Sequence, residues 1–197
     1  MNAMHCIKIS IDSADWAGAL PDARSIAAAA AETALASQTQ AIELSLVLTG
    51  DDIVRALTRD YRGRDETTNV LSFAGDSPGP ADRLSGARAP DHPILLGDVV
   101  VAFGTTQRQA DADERGPSLA DHLSHLIIHG VLHLLGFDHQ TDAAAAAMEG
   151  LETQLLSRLG INDPYRDLVA AGAPDLDPGS GQKSGRKREE RDERRPA

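Results

Sequence analysis

Asp121-His-Leu-Ser-His-Leu-Ile-Ile-His-Gly-Val-Leu-His-Leu-Leu-Gly-Phe-Asp-His139 reads as a helix that ends in a turn. Ile127, Ile128, Val131, Leu132, Leu134 and Leu135 mark it as buried. Pro117 suits the first helical turn, and Gly136 suits the C-terminal cap. His129 and His133 lie four apart, so both imidazoles share one face, one turn above the other. Leaving the helix at Gly136, the chain can turn back and bring His139 to the same point. Three neutral imidazoles with an open fourth position are the pattern of a catalytic zinc ion, whereas four protein ligands mark a structural one. Histidines among apolar neighbours need a partner, because burying an unpaired polar group is costly. His122 reads as part of a polar stripe. His125 does too, although its spacing from His129 leaves an alternative ligand pair open.

Around this helix the chain alternates between strand and helix patterns. Strands are expected over 4–11, 42–48, 69–73 and 94–102, the last interrupted at Gly97-Asp98. Helices are expected over 22–37, from Asp51 or Asp52 as cap to Tyr61, over 103–114, over 117–135, and over 141–159 with Thr141 or Asp142 as cap. In the second of these, Ile53, Val54 and Leu57 are expected to point inward. Residues 75–93 are rich in Pro, Gly and Asp and read as a loop. Strands and helices without strict alternation predict an α+β fold, a single domain over residues 1–171.

The chain has 197 residues and a formal charge of −11. So acidic a body excludes a general nucleic-acid coat, which would need Lys and Arg against phosphate, but leaves room for a local basic site. Residues 172–197 hold little that could form a core and are expected to be a disordered, charged tail. Within it, residues 183–197 carry seven basic side chains against four acidic ones, either a solvated tail or an RNA-seeking arm. A single cysteine, Cys6, excludes an internal disulfide. No apolar run approaches the roughly 20 residues of a membrane span, and no secretory signal is visible. A cytoplasmic location is the expectation.

Two further groups are candidates for chemistry. Arg55, Arg59 and Arg62 are spaced four and three apart on one helix face, with Arg64 following, and guanidinium forks suit phosphate. The alternative is ordinary surface pairing with Asp51, Asp60 or Asp65. Asp98 is a carboxylate in an apolar strand, either a site residue or a bulge residue bonding to backbone. One position argues against a peptidase. In H-E-x-x-H enzymes a Glu after the first histidine is the general base, and here that position is Gly130.

The stretch from His129 to His139 resembles the signature of the YbeY family of bacterial endoribonucleases. Tyr61-Arg-Gly-Arg-Asp-Glu-Thr-Thr-Asn-Val-Leu-Ser-Phe73 and Leu96-Gly-Asp-Val-Val100 resemble two further landmarks, in the family's order. The resemblance covers roughly residues 5–160. It implies a small mixed sheet flanked by helices with a zincin-like metal helix. It also implies a metal, usually zinc, on His129, His133 and His139, with Arg62 as the functional arginine. The implied activity is cleavage of single-stranded RNA in maturation of the 16S rRNA 3′ end and in ribosome quality control. The small ribosomal subunit, ribosomal protein uS11 and the GTPase Era are the implied partners. In this reading the metal acts on the phosphate and Arg62 clamps it. A zinc peptidase or amidohydrolase, and a metal-stabilised ribosome-assembly factor without catalysis, are the rival readings.

Overall fold

Ile42, Leu44, Leu46 and Leu48 are all buried, and the residues between them face the other way. That period of two builds the central strand. The computed structural model describes residues 4–75, 93–112 and 117–166; the charged tail and nearly all of the 75–93 loop lie outside the described residues. Strands β1 (Cys6–Ile11), β2 (Ile42–Thr49), β3 (Val70–Ala74) and β4 (Ile94–Ala102) form one sheet in the order β1-β2-β4-β3. β1, β2 and β4 run parallel, and β3 pairs antiparallel with β4 at the edge. The helices are α1 (Ala14–Ala19), α2 (Ala23–Leu35), α3 (Asp51–Arg62), α4 (Phe103–Asp111), α5 (Leu119–Leu134) and α6 (Asp142–Arg158). This is the expected α+β domain with a small mixed sheet.

The two faces of the sheet are covered differently. On one, Leu44, Leu46, Leu48, Val99 and Val101 pack with Ala27 and Leu35 of α2, Ile127 and Val131 of α5, and Leu156 of α6. On the other, Val100 and Ala102 pack with Leu71 and with Val54 of α3. The interruption expected at Gly97 is a β-bulge: Glu43 pairs with Leu95 but Leu44 with Gly97. The extra residue resets the alternation, so Leu96 and Val99 reach the same core although an odd number of positions separates them. Gly97 has φ 134°, and a Cβ there would lie 2.0 Å from the Phe73 carbonyl oxygen, so only glycine fits.

Several local expectations are corrected. The helix α1 was not anticipated: it is short, and its one buried residue is Trp16, whose indole N–H donates to the Thr49 carbonyl at 3.1 Å. Ile53 is 49% exposed, because it lies off the stripe formed by Val54 and Thr58. Gly50, not Asp51 or Asp52, is the N-cap of α3. Asp51 instead accepts from the Thr105 backbone N–H at 2.9 Å and from Arg108 at 2.9 Å, tying α3 to α4. Pro117 precedes the N-cap of α5, which is Ser118, whose hydroxyl accepts from the Asp121 N–H. Thr141 caps α6 as expected, accepting from the Ala144 N–H.

Candidate metal centre

Helix α5 crosses the sheet at very close range. An added Cβ at Gly130 would lie 2.7 Å from Val99 Cγ1 and 3.0 Å from Ser72 Oγ. The glycine where a peptidase carries its base is therefore a packing residue, and it faces the sheet. At its C-terminal end α5 closes in a Schellman motif. The Gly136 N–H donates to the His133 carbonyl and the Phe137 N–H to the Leu132 carbonyl, with Gly136 at φ 97°. That turn does two things. It sends the chain back toward His139, and it places the Phe137 carbonyl 3.0 Å from His133 Nδ1.

His129, His133 and His139 converge, with a ligand nitrogen from each lying within 4.8 Å of the others. The Phe137 carbonyl only accepts, so His133 Nδ1 carries the proton. His129 Nδ1 lies 2.7 Å from Glu152 Oε1 and carries its proton for the same reason. The neutral rings then present their Nε2 lone pairs to each other across 2.9 Å. Burial, and next the neighbouring His129, hold His133 below the usual histidine range, which keeps it neutral. Two facing lone pairs beside an exposed third imidazole are a donor set for a divalent transition ion. His129, His133 and His139 thus fit the metal that the sequence implied.

Glu152 is fully buried, a charged side chain in the core. His125 Nε2 lies 3.1 Å from its Oε2, and the Tyr165 hydroxyl donates to the same oxygen. Burial raises the pKa of this carboxyl, but the hydrogen bonds from His125, His129 and Tyr165 outweigh it, bringing it to about 2. Burial, then the Glu152 charge, push the Tyr165 hydroxyl well above the ordinary tyrosine range. His125, His129 and Glu152 also lie within 4.8 Å of one another and form a second potential ligand set. The alternative pairing of His125 with His129 is therefore present as geometry.

The arginines are placed elsewhere. Arg62 sits in the last turn of α3, at the β3 edge of the sheet: its neighbour Tyr61 packs on Phe73, and Ser72 of the same strand bonds to α5. Arg62 is exposed and, among the described residues, unpaired. Arg55 makes two bonds of 2.7 Å to Asp65, and Arg59 lies 3.3 Å from Asp60, so both follow the surface-pairing reading. Asp98 is exposed and pairs with Phe73 on the α3 face, away from the histidines. His122 contacts Gln109 at 3.0 Å and stays outside the cluster.

A family model described as Endoribonuclease YbeY matches residues 10–160. The chain belongs to the YbeY endoribonuclease family. A Paramagnetospirillum magneticum protein named Endoribonuclease YbeY is 48% identical over 162 residues, covering 81% of this chain and 94% of its own. Relatives of the same name from Sphingopyxis alaskensis and Azorhizobium caulinodans are 48% and 45% identical, covering 79% and 81% of this chain and 91% and 95% of theirs. The solution structure of a Thermotoga maritima protein covers 89% of this chain and 99% of its own, at 17% identity and a TM-score of 0.46. The YbeY match takes in the three histidines, Arg62 and Glu152, and ends before Tyr165. No described helix is long and apolar enough to cross a membrane.

Glu152 and Tyr165 escaped the sequence reading. For Glu152 a signal existed: it falls on the stripe of Met148, Leu155 and Leu156, the buried face of α6. A glutamate on an apolar stripe needs a buried partner. Tyr165 follows α6 and offers no such periodicity.

Proposed function

We propose that this chain is a metal-dependent endoribonuclease specific for single-stranded RNA, acting in the cytoplasm on the 16S rRNA 3′ end and in ribosome quality control. Family membership supports the RNA-cleaving activity. The observation that carries the metal reading is the pair of Nε2 lone pairs of His129 and His133, each aimed by a bond at its own Nδ1. His139 completes the set. His125 is a poorer ligand, because the nitrogen it turns toward the cluster is the one that donates to the Glu152 carboxylate. A zinc or related divalent ion held by the three histidines supplies Lewis acidity toward a phosphodiester.

The chain's own residues define the rest. His139 is exposed, so the cluster opens to solvent on its side, where a strand of RNA can approach. Arg62, with its fork unpaired among the described residues, holds the phosphate and stabilises charge developing on it. No carboxylate follows His129, and the space against Val99 admits none, which argues against peptide hydrolysis by the usual base. The small ribosomal subunit, uS11 and Era are the partners to which the family points.

The test is incubation of metal-replete protein with single-stranded RNA, duplex RNA and casein, with and without chelator. Single-stranded RNA should be cut, chelator should stop cutting, and added zinc should restore it. Hydrolysis of casein, or RNA binding without cleavage, would overturn the reading in favour of a peptidase or an assembly factor.

A further inference from the structure

We propose that Glu152 is the positioning residue of the metal centre, fixing His129 as its Nδ1–H tautomer, and that Tyr165 and His125 lock the carboxylate in place for this. The inference rests on the reading of His129, His133 and His139 as the ligand set.

Each oxygen of the Glu152 carboxylate has its own donors. Oε1 accepts from His129 Nδ1 at 2.7 Å, the shorter of its two histidine contacts. Oε2 accepts from His125 Nε2 and from the Tyr165 hydroxyl. With these donors in place, Glu152 has no freedom to rotate, and a buried ionised carboxylate has no other way to be satisfied. A ring that donates from Nδ1 keeps its lone pair on Nε2, the atom that faces His133 and His139. The negative charge behind His129 also makes that lone pair more basic. A carboxylate bonded to a ligating histidine typically changes metal affinity by about ten- to a hundredfold.

Tyr165 adds something specific to this arrangement. The family match ends at residue 160, and the chain from Ile161 onward folds back to bring Tyr165 over the carboxylate. Its ring packs edge-on against His125, with centroids 5.7 Å apart. The Thr153 hydroxyl donates to Asp163 and holds that return segment against α6, and the Tyr165 N–H donates to the same carboxylate and closes the turn. The orientation of a histidine on α5 thus depends on a residue just past α6.

The test uses the full chain and the variants Glu152→Gln, Glu152→Leu and Tyr165→Phe. Leucine suits the apolar stripe of α6, so Glu152→Leu keeps the fold while removing the acceptor. Zinc affinity is read by competition with a chromogenic chelator, the cobalt-loaded proteins by their visible absorption, and the His129 tautomer by two-bond 1H–15N NMR of the metal-free protein. Wild type should show His129 as the Nδ1–H form. Glu152→Gln should still take up one equivalent of zinc, with affinity about ten- to a hundredfold weaker. Glu152→Leu should lose more and shift the tautomer toward Nε2–H, and Tyr165→Phe should show a smaller loss in the same direction. Unchanged affinity and tautomer in a folded Glu152→Leu protein would overturn the proposal. So would loss of zinc in Glu152→Gln alongside wild-type affinity in His139→Ala, which would make Glu152 a direct ligand. A wild-type chain that binds no zinc or cobalt yet holds His129 as Nδ1–H would overturn the metal reading itself, while the tautomer result would uphold the role of Glu152.

Discussion

The Ser72 hydroxyl donates to the Gly130 carbonyl at 3.1 Å, joining edge strand β3 to the helix that carries the histidines. The contact is possible only because Gly130 has no side chain. Gly130→Ala places a methyl against Val99, which is completely buried and cannot move aside. Overpacking of this kind costs about 1–3 kcal/mol. The urea midpoint of the alanine variant should fall accordingly, and an unchanged midpoint would show that the helix can lift off the sheet freely.

Metal and fold should be linked. A ligand that binds the folded chain better than the unfolded one stabilises it by mass action. Chelator should lower the melting temperature of the intact protein and leave that of the His129→Ala, His133→Ala double variant unmoved. Equal shifts in both would place the metal elsewhere.

Arg62 should separate from the ligands. Arg62→Ala is expected to keep fold and metal but to cleave RNA roughly a hundredfold more slowly, the scale of a lost transition-state charge contact. Arg62→Lys should recover little, because an ammonium lacks the planar fork. Cleavage near the wild-type rate in a metal-loaded Arg62→Ala protein would rule out the phosphate clamp and direct attention to Arg59.

Acid should weaken the fold through His122. Burial, then the neighbouring His125, lower its pKa from 6.5 to about 4. The unfolded state therefore binds this proton more readily than the folded state does. The contribution of His122 is complete above about pH 6.5 and is lost progressively as pH falls toward 4. Melting temperatures measured across that window should decline, and the decline should be shallower in His122→Gln. Identical slopes in the two proteins would assign the acid sensitivity to other groups.

Truncation should divide the C-terminal region in two. Removal of residues 172–197 is expected to leave melting and cleavage of a short RNA nearly unchanged, since their composition offers nothing to a core. Weaker ribosome association at low salt is compatible with this, because a basic arm acts through screened charge. Loss of folding in the truncated chain would contradict the expectation.

Much of this architecture was legible because it is periodic. The leucines of β2, the buried stripe of α5 and the Thr141 cap of α6 each follow from spacing or local chemistry alone. The break at Gly97 was also visible, although its consequence, a bulge that resets the facing of Val99, needs the neighbouring strand. The histidine cluster was legible because helical pitch and one glycine turn suffice to assemble it. What stayed hidden depends on partners distant in the chain. Nothing near Gly130 announces Val99 and Ser72 beneath it, and nothing near His129 announces Glu152. The helix α1 is too short for a pattern, and Arg55 could not be told from Arg62 until Asp65 was seen beside it.

All three imidazoles of the cluster come from the stretch His129–His139, whereas Glu152, which aims His129, and Ser72, which ties α5 to the sheet, lie far away in the chain. The unfolded polypeptide therefore carries the same ligands, separated by loops short enough to close at little entropic cost. An ion that the folded site binds also has a home in the denatured ensemble, and its pull on the folding equilibrium is reduced by that competition. The gap between the two affinities measures what the distant residues contribute: the folded chain does not create the ligands but removes the wrong ways of presenting them.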